Sequence, residues 1–436
     1  MLTRIHIRGY KSLRDVEVRL SGLSVLLGPN ASGKSNFLDC LQLLSKLTTS
    51  RTIKEAFEPP YRGKPLESFT FGERGIMGSL EQERLSFSIE VDVRLSDVVV
   101  DAVNKQIKEM RRTINAESTA TAGAKTSGAV KERNLRYRIE VEMLPESGIL
   151  RVADEYLAAL NDQGDATGRR KPFLSREGDR LHLRLEGQAH PSYYERWLDH
   201  SILSLPHYPP HYPHLVAMRK ELEQWFIFYF EPRERMRAMS PVKEVRHIGL
   251  MGEELATFLN TLRALDARQF GAVEKALRTI MPGIQKIDVD VNNLGEVELK
   301  LQENGKSVPA RVLSEGTLRI LGLLSLAGAK EQPALVGFEE PENGIHPRRI
   351  KLVAELLHRR AVSGETQYIV TTHSPLLPDL VPPESLFVCR RINGDTSIEP
   401  LSAWGPLAVK DGIDVALIDE DELTVSERML RGDFDG

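Results

Sequence analysis

The sequence predicts an α/β fold in which a sheet with flanking helices is joined to an N-terminal antiparallel β lobe and a helical subdomain. Three observations predict it. Leu23 to Leu27 is a short apolar strand that runs into a glycine-bearing loop and then a helical pattern, Phe37, Leu38, Leu41 and Leu44. Leu335 to Phe338 and Gln367 to Thr371 are two more short apolar strands, separated by the helical run Ile350 to Leu357. The first half alternates apolar and polar residues in several runs, the mark of half-buried strands.

In order along the chain, Thr3 to Gly9 and Val16 to Leu20 alternate and are expected as two strands joined by a turn. Further alternating runs at Leu85–Val93, Leu135–Met143 and Leu181–Leu185 complete the lobe. Residues 101–138 hold nine basic against four acidic residues, a local charge of +5, and Thr119 to Gly128 is small or polar except for Lys125. That composition reads as a basic helix followed by a loop-like insert. Leu205 to His214 is dense in proline and histidine and reads as a rigid linker. His207, His211 and His214 offer three imidazoles, but proline breaks the helix that would bring them to one face, so no metal site is expected there. Helical patterns follow at Leu215–Phe230 and Gly252–Ile280, then a hairpin across Ile287–Leu301 turning at Asn292 to Gly295. The tail from Asp411 onward has nine acidic and two basic residues and is expected to be solvated. The expected division is an N-terminal lobe at 1–195 with a basic insert about 100–135, a helical subdomain and linker at 196–285, a C-terminal lobe at 286–405 and an acidic tail at 406–436.

Composition narrows the function class. The 436 residues are 41% hydrophobic, enough to fill the core of a large domain or two to three smaller ones. With 58 Lys plus Arg against 62 Asp plus Glu, the formal charge of -4 advertises neither nucleic acid nor membrane binding by the whole molecule. Two distant cysteines, Cys40 and Cys389, make neither a disulfide framework nor a zinc site. The N-terminus lacks the apolar core of a signal peptide, and no apolar run reaches membrane-spanning length. A cytoplasmic protein without a membrane partner is expected.

Four segments carry chemistry. Gly28-Pro-Asn-Ala-Ser-Gly-Lys34-Ser35 fits the P-loop pattern, and its strand-before, helix-after context is the confirming one. Backbone N–H groups from Gly28 through Asn30, Ala31, Ser32 and Gly33 to Asn36 are expected to cradle phosphate, with Lys34 at the terminal phosphates of ATP and the Ser35 hydroxyl on Mg2+. Leu335-Val-Gly-Phe-Glu339-Glu340-Pro-Glu342 has the form of a Walker B strand. Glu339 is expected to hold the metal, although Asp is usual there, and Glu340 to polarise the attacking water as general base. His373 follows the strand Gln367–Thr371, which puts it at the carboxyl end of the sheet, where ligands collect. Leu313-Ser-Glu-Gly-Thr317 opens the helical run Leu318–Leu326, so Ser314 and Gly316 form a second anion nest. One triphosphate does not need two nests. Ser314 and Gly316 are therefore expected to bind the nucleotide held by another subunit, which makes ATP the glue of a two-fold homodimer or a higher oligomer.

These segments, together with Ile5-His-Ile-Arg-Gly-Tyr-Lys-Ser, Phe338 to Pro347 and Thr371 to Pro375, resemble the ABC-type ATPases of the SMC and RecF kind. The likeness is strongest to compact bacterial AAA-family ATPases related to the heads of overcoming-lysogenization-defect nucleases. The resemblance implies that Glu340 is the hydrolytic glutamate, Ser314 the signature serine acting in trans and His373 the switch histidine. It also suggests that Lys11 or Arg8 approaches the nucleotide. Two departures matter: the family's long coiled coil is replaced by the short basic insert, and the Toprim domain of nuclease-bearing relatives does not follow the histidine motif.

The expected activity is ATP hydrolysis to ADP and phosphate, used as a conformational switch for a separately encoded effector, with antiphage defence as the pathway the relatives suggest. A RecF-like repair or maintenance factor that binds DNA through the basic segment is the alternative. A transporter subunit is disfavoured by the Ser-Glu-Gly signature and the His-Pro element after the glutamates.

Overall fold

Alternating apolar and polar residues from Leu2 to Tyr10 (β1) and from Leu13 to Arg19 (β2) place Ile5, Ile7, Val16 and Val18 on one buried face and close into an antiparallel hairpin. The computed structural model describes residues 1–117, 128–161, 163–166, 171–186, 192–195, 197–328, 332–404 and 423–434. After β2 come β3 (Leu23–Leu27), α1 (Lys34–Leu47) and two short helices, α2 (Ile53–Ala56) and α3 (Gly75–Leu80). The β lobe then resumes with β4 (Leu85–Arg94), α4 (Asp97–Glu117), β5 (Asn134–Leu144), β6 (Ile149–Ala159), β7 (Leu174–Glu177), β8 (Arg180–Leu183) and β9 (Ser192–Glu195). Its eight strands form one antiparallel sheet in the order β2-β1-β4-β5-β6-β7-β8-β9.

The outer face of that sheet is a ladder of charges. Arg4 pairs with Glu90 at 2.8 Å, Arg136 with Asp92 at 2.6 Å and Arg138 with Asp154 at 2.8 Å. Arg133 pairs with Asp97 at the start of α4. Several cations of the basic segment are thus matched by carboxylates of their own lobe. The small, polar stretch of that segment lies outside the described residues except for Gly128.

The next stretch departs from the sequence expectation. Pro213 and His214, read as linker, are the first turn of α5 (Pro213–Glu223). The helix expected to reach Phe230 stops there, and Trp225–Phe228 is a strand, β10. Its aromatic and β-branched side chains fit a strand buried on both faces, which is where it lies. The strand expected at 181–185 ends at Leu183. Then follow β11 (Ser240–Pro241), α6 (Leu255–Leu265), α7 (Ala267–Ile280), β12 (Ile284–Val291), β13 (Glu296–Glu303) and β14 (Lys306–Pro309). Asp266 separates α6 from α7, its side chain accepting from the Gln269 N–H as a helix cap. Four short strands, β11 to β14, make a small antiparallel sheet against α6 and α7.

The chain closes with α8 (Glu315–Ala327), β15 (Leu335–Glu339), α9 (Pro347–Ser363), β16 (Gln367–Thr372), β17 (Leu386–Ile392), β18 (Asp395–Pro400) and α10 (Val425–Arg431). The central sheet runs β10-β15-β16-β3-β17-β18, parallel except for the last pair. Alternate residues of its strands face two different cores. Leu26, Leu335 and Ile369 join α1, α5 and the β lobe, whereas Val25, Val336 and Val370 join α6 to α9. The stretch 196–285, expected as one helical subdomain, is therefore divided between these layers: α5 and β10 serve the first core and the central sheet, and α6 and α7 the second. In the acidic tail, α10 packs against the Pro378–Leu380 turn, with the Ser426 N–H donating to Asp379 at 3.1 Å, and Phe434 is buried edge-on against Trp404, so this part is docked and not simply solvated. Residues 405–422 of the tail lie outside the described residues.

Candidate functional site

The carboxyl ends of β3, β16 and β15 lie side by side, and the side chains leaving them meet. The loop between β3 and α1 is held from behind. Thr396 of β18 donates to the Ser32 carbonyl at 2.9 Å and shares a 2.7 Å hydrogen bond with Ser12, which also accepts from Asn36 at 2.8 Å. Gly33 has φ +106°, and a Cβ built there would stand 2.0 Å from the Thr396 hydroxyl, so only glycine fits. Gly33 also begins α1 without a side-chain cap, which leaves the first-turn N–H groups directed at the loop, as an anion site requires. Asn30 and Ala31 are exposed at the tip, Ala31 with φ +62°. The Lys34 ammonium is buried and donates to the carbonyls of Gly28 at 2.8 Å and Pro29 at 2.7 Å. Burial lowers its pKa, an effect opposed by Glu339, Glu340 and Glu342 nearby.

Ser35 donates to the carboxylate of Glu339 at the end of β15. A hydroxyl and a carboxylate converging beside a phosphate-type loop are hard oxygen donors, the set that suits magnesium. One residue further, Glu340 turns into the left-handed region at φ +48°, and its carboxylate takes hydrogen bonds from His373 Nδ1 at 2.7 Å and from the Asn343 amide. A carboxylate held by an imidazole at the end of a parallel strand can accept a proton from water.

Ser314 and Gly316 sit elsewhere. Ser314 caps α8, accepting from the Thr317 N–H at 3.1 Å, and is itself exposed. Gly316 is buried, and a Cβ on it would meet the Gly344 carbonyl at 2.1 Å, so the first turn of α8 lies directly on the Glu342–Ile345 turn that follows Glu340. Ser314 also shares a 2.7 Å hydroxyl hydrogen bond with Thr317, and its carbonyl accepts from the Leu318 N–H at 3.2 Å.

Comparison with known proteins agrees with this geometry. Residues 1–155 match the family profile described as "AAA ATPase domain", and residues 234–379 the one described as "AAA domain, putative AbiEii toxin, Type IV TA system". Over 55 residues the chain is 42% identical to the DNA replication and repair protein RecF of Trichodesmium erythraeum (strain IMS101), a match spanning 12% of this chain and 14% of that protein. A head of SMC solved with the C-winged helix domain of ScpA superposes with TM-score 0.53 at 12% identity, over 92% of this chain and 99% of that one. An Smc head from Pyrococcus furiosus, with an extended coiled coil and the C-terminal domain of ScpA, gives 0.51 at 11% identity over 93% and 98%. The chain carries two AAA-type ATPase regions on the fold of an SMC head.

The head also holds residues that its sequence did not mark. Arg62, in the loop between α2 and α3, pairs with Glu339 at 3.0 Å and with buried Asp39 of α1 at 2.9 Å, and lies over the Tyr229 ring. Nothing in Pro60-Tyr-Arg-Gly announces this, because the meeting depends on tertiary packing. Lys11 ends at Asp39, 2.8 Å away, and at the Arg62 carbonyl, 3.2 Å away, and Arg8 at His6, 3.2 Å away. Two histidines of the expected linker bond within the fold: His207 to the Ile202 carbonyl, and His214 to Glu186 while accepting from the Lys131 and Glu132 N–H groups. Among the described residues no cluster of three or more His, Cys, Asp or Glu is placed to hold a metal. None of the described helices is long and apolar enough to cross a membrane.

Proposed function

We propose that this head hydrolyses ATP at a site shared by two copies, and that the closing and opening of the pair drives a separately encoded effector. The observation that carries the reading is the convergence of Lys34, Ser35, Glu339, Glu340 and His373 at the ends of three adjacent strands. Gly28 to Asn36 present backbone N–H groups to the phosphates, and Lys34 exchanges its two carbonyl partners for the terminal phosphate oxygens. Ser35 and Glu339 hold magnesium, which when bound neutralises charge building on the phosphates. Glu340 takes the proton of the attacking water, and His373, already bonded to Glu340, steadies the carboxylate and faces the terminal phosphate. Ser314 and Gly316 contribute the exposed start of α8 to the nucleotide of the second copy.

An effector partner accords with the SMC heads solved with ScpA and with the toxin–antitoxin wording of the matching family, and antiphage defence is the pathway we favour. The RecF match favours a DNA-dependent ATPase as the second reading. DNA that stimulates turnover, with the effect lost on neutralising Lys105, Lys108 and Arg112, would select that reading.

The test compares wild type, Lys34→Ala and Glu340→Gln. Lys34→Ala should lose equilibrium ATP binding. Glu340→Gln should bind ATP, lose turnover by about 100-fold or more, and accumulate as a nucleotide-dependent dimer in light scattering. Unchanged hydrolysis by Glu340→Gln would move the base to another carboxylate, and ATP binding by Lys34→Ala would overturn the loop assignment.

A further inference from the structure

One half-buried cation on α8 has no hydrogen-bond partner at an enclosed atom. Arg319 lies on the α8 face that carries Gly316 and packs on the Glu342–Ile345 turn. Its Nε is enclosed and makes no hydrogen bond among the described residues. A guanidinium stays charged at any working pH, so one with an enclosed Nε is stabilised by a nearby carboxylate. Four carboxylates act on it: Glu315, Glu340, Glu231 and Glu342.

Three of the four are committed elsewhere. Glu231 accepts from the N–H groups of Arg233, Glu234 and Arg235 at 2.9–3.0 Å. Glu315 is bonded by Arg233 at 2.9 Å. Glu340 is held by His373 and Asn343. Glu342 is different: it is 4% exposed, its Oε1 accepts from the Thr372 hydroxyl, and its Oε2 is enclosed without a partner. An enclosed, unpaired donor on α8 and an enclosed, unpaired acceptor on the turn against which α8 packs thus belong to the same part of the molecule. Burial also pushes the Glu342 carboxyl up, as expected for a carboxylate whose cation is not closely engaged.

We propose that Arg319 is the positioning residue through which α8 sets the Glu340–His373 pair, by closing onto Glu342. Glu342 anchors Thr372, whose hydroxyl also accepts from the Ser374 N–H at 3.0 Å, so the two residues flanking His373 are fixed through Glu342. A helix moves as a rigid unit over one turn. When Ser314 at its exposed start is drawn onto the second copy's nucleotide, Arg319 travels with it, and Nε reaches Oε2. Occupation of one site is thereby passed within the chain to the groups that hydrolyse ATP at the other. This rests on the roles given to Glu340, His373 and Ser314 above.

The experiment measures kcat, KM and equilibrium ATP binding for full-length wild type, Arg319→Gln, Arg319→Lys, Glu342→Gln, the double variant Arg319→Gln/Glu342→Gln, and Glu340→Gln as control. Arg319→Gln should lower kcat by about 10- to 100-fold, the scale of a small misplacement of reacting groups, with ATP affinity kept within about twofold. Arg319→Lys, which keeps the charge, should recover most of the rate. The double variant should be no slower than Arg319→Gln alone, since both lesions cut one link. If Arg319→Gln does not fold, Glu342→Gln alone must show the same loss of kcat at unchanged affinity. Wild-type kcat in Arg319→Gln, or losses that multiply in the double variant, would overturn the proposal. Active Glu340→Gln would instead strike the site reading, so the two failures are distinguishable.

Discussion

Replacing Gly316 with alanine tests whether the start of α8 and the hydrolytic loop are one mechanical unit. The new Cβ would stand 2.1 Å from the Gly344 carbonyl oxygen, 2.9 Å from its carbon and 3.3 Å from the Ile345 Cα. All three are backbone atoms, so no side chain can swing aside. Ordinary contact begins at 3.4 Å, and the gap must therefore open by about 1.3 Å (3.4 less 2.1). Overpacking of this kind costs about 1–3 kcal/mol. In chains of 150–250 residues ~1 kcal/mol moves the melting midpoint about 2–4 °C, and less in longer ones, so a fall of a few degrees is expected without nucleotide. The turn that moves carries Asn343, which bonds Glu340, and a displacement near 1 Å at reacting groups costs on the order of 100-fold in rate. Differential scanning fluorimetry and steady-state hydrolysis read both effects. If Gly316→Ala melts with wild type in the absence of nucleotide, the packing argument is wrong, and the glycine matters only for a second copy's ATP.

Two other substitutions separate the roles at the site. Ser314→Arg should still bind ATP, because its own loop is intact, yet block hydrolysis; mixed with Lys34→Ala it should regain part of the rate, since in the mixed dimer both lesions fall on one composite site. A dilute monomer of Ser314→Arg that turns over normally would refute the shared site. Glu339→Gln should raise the magnesium concentration for half-maximal hydrolysis by about 10-fold, a loss of roughly 1.4 kcal/mol of metal binding, and an unchanged magnesium titration would remove Glu339 from the metal.

Much of the central sheet was legible because its strands are short apolar runs beside motifs with a fixed mechanical context. β3, β15 and β16 fall within a residue of where periodicity puts them, since parallel strands buried on both faces leave nothing else for such runs to do. β10 was not legible: Trp225 to Phe230 continues a helical pattern, and short apolar runs fit either period. What decided it was the vacant edge of β15, which is tertiary information. Arg62 and Arg319 were missed for a related reason. One lies in a loop and the other inside an apolar helix, and each acquires its partners only when segments remote in sequence are packed together.

The position of β3 has a consequence for how the chain comes to be folded at all. Leu23 to Leu27 is hydrogen-bonded on one side to β16 and on the other to β17, so the strand that presents the phosphate loop waits for both neighbours until most of the polypeptide has been made. The Ser32 carbonyl is likewise secured by Thr396 from the last strand of that sheet. A growing chain on the ribosome thus exposes an unpaired, largely apolar strand for most of its synthesis, the kind of edge that invites aggregation and chaperone capture. Pairings so remote in sequence also make for slow closure of the sheet. The same arrangement delays nucleotide competence until the last strands have emerged, so unfinished chains would not sequester ATP.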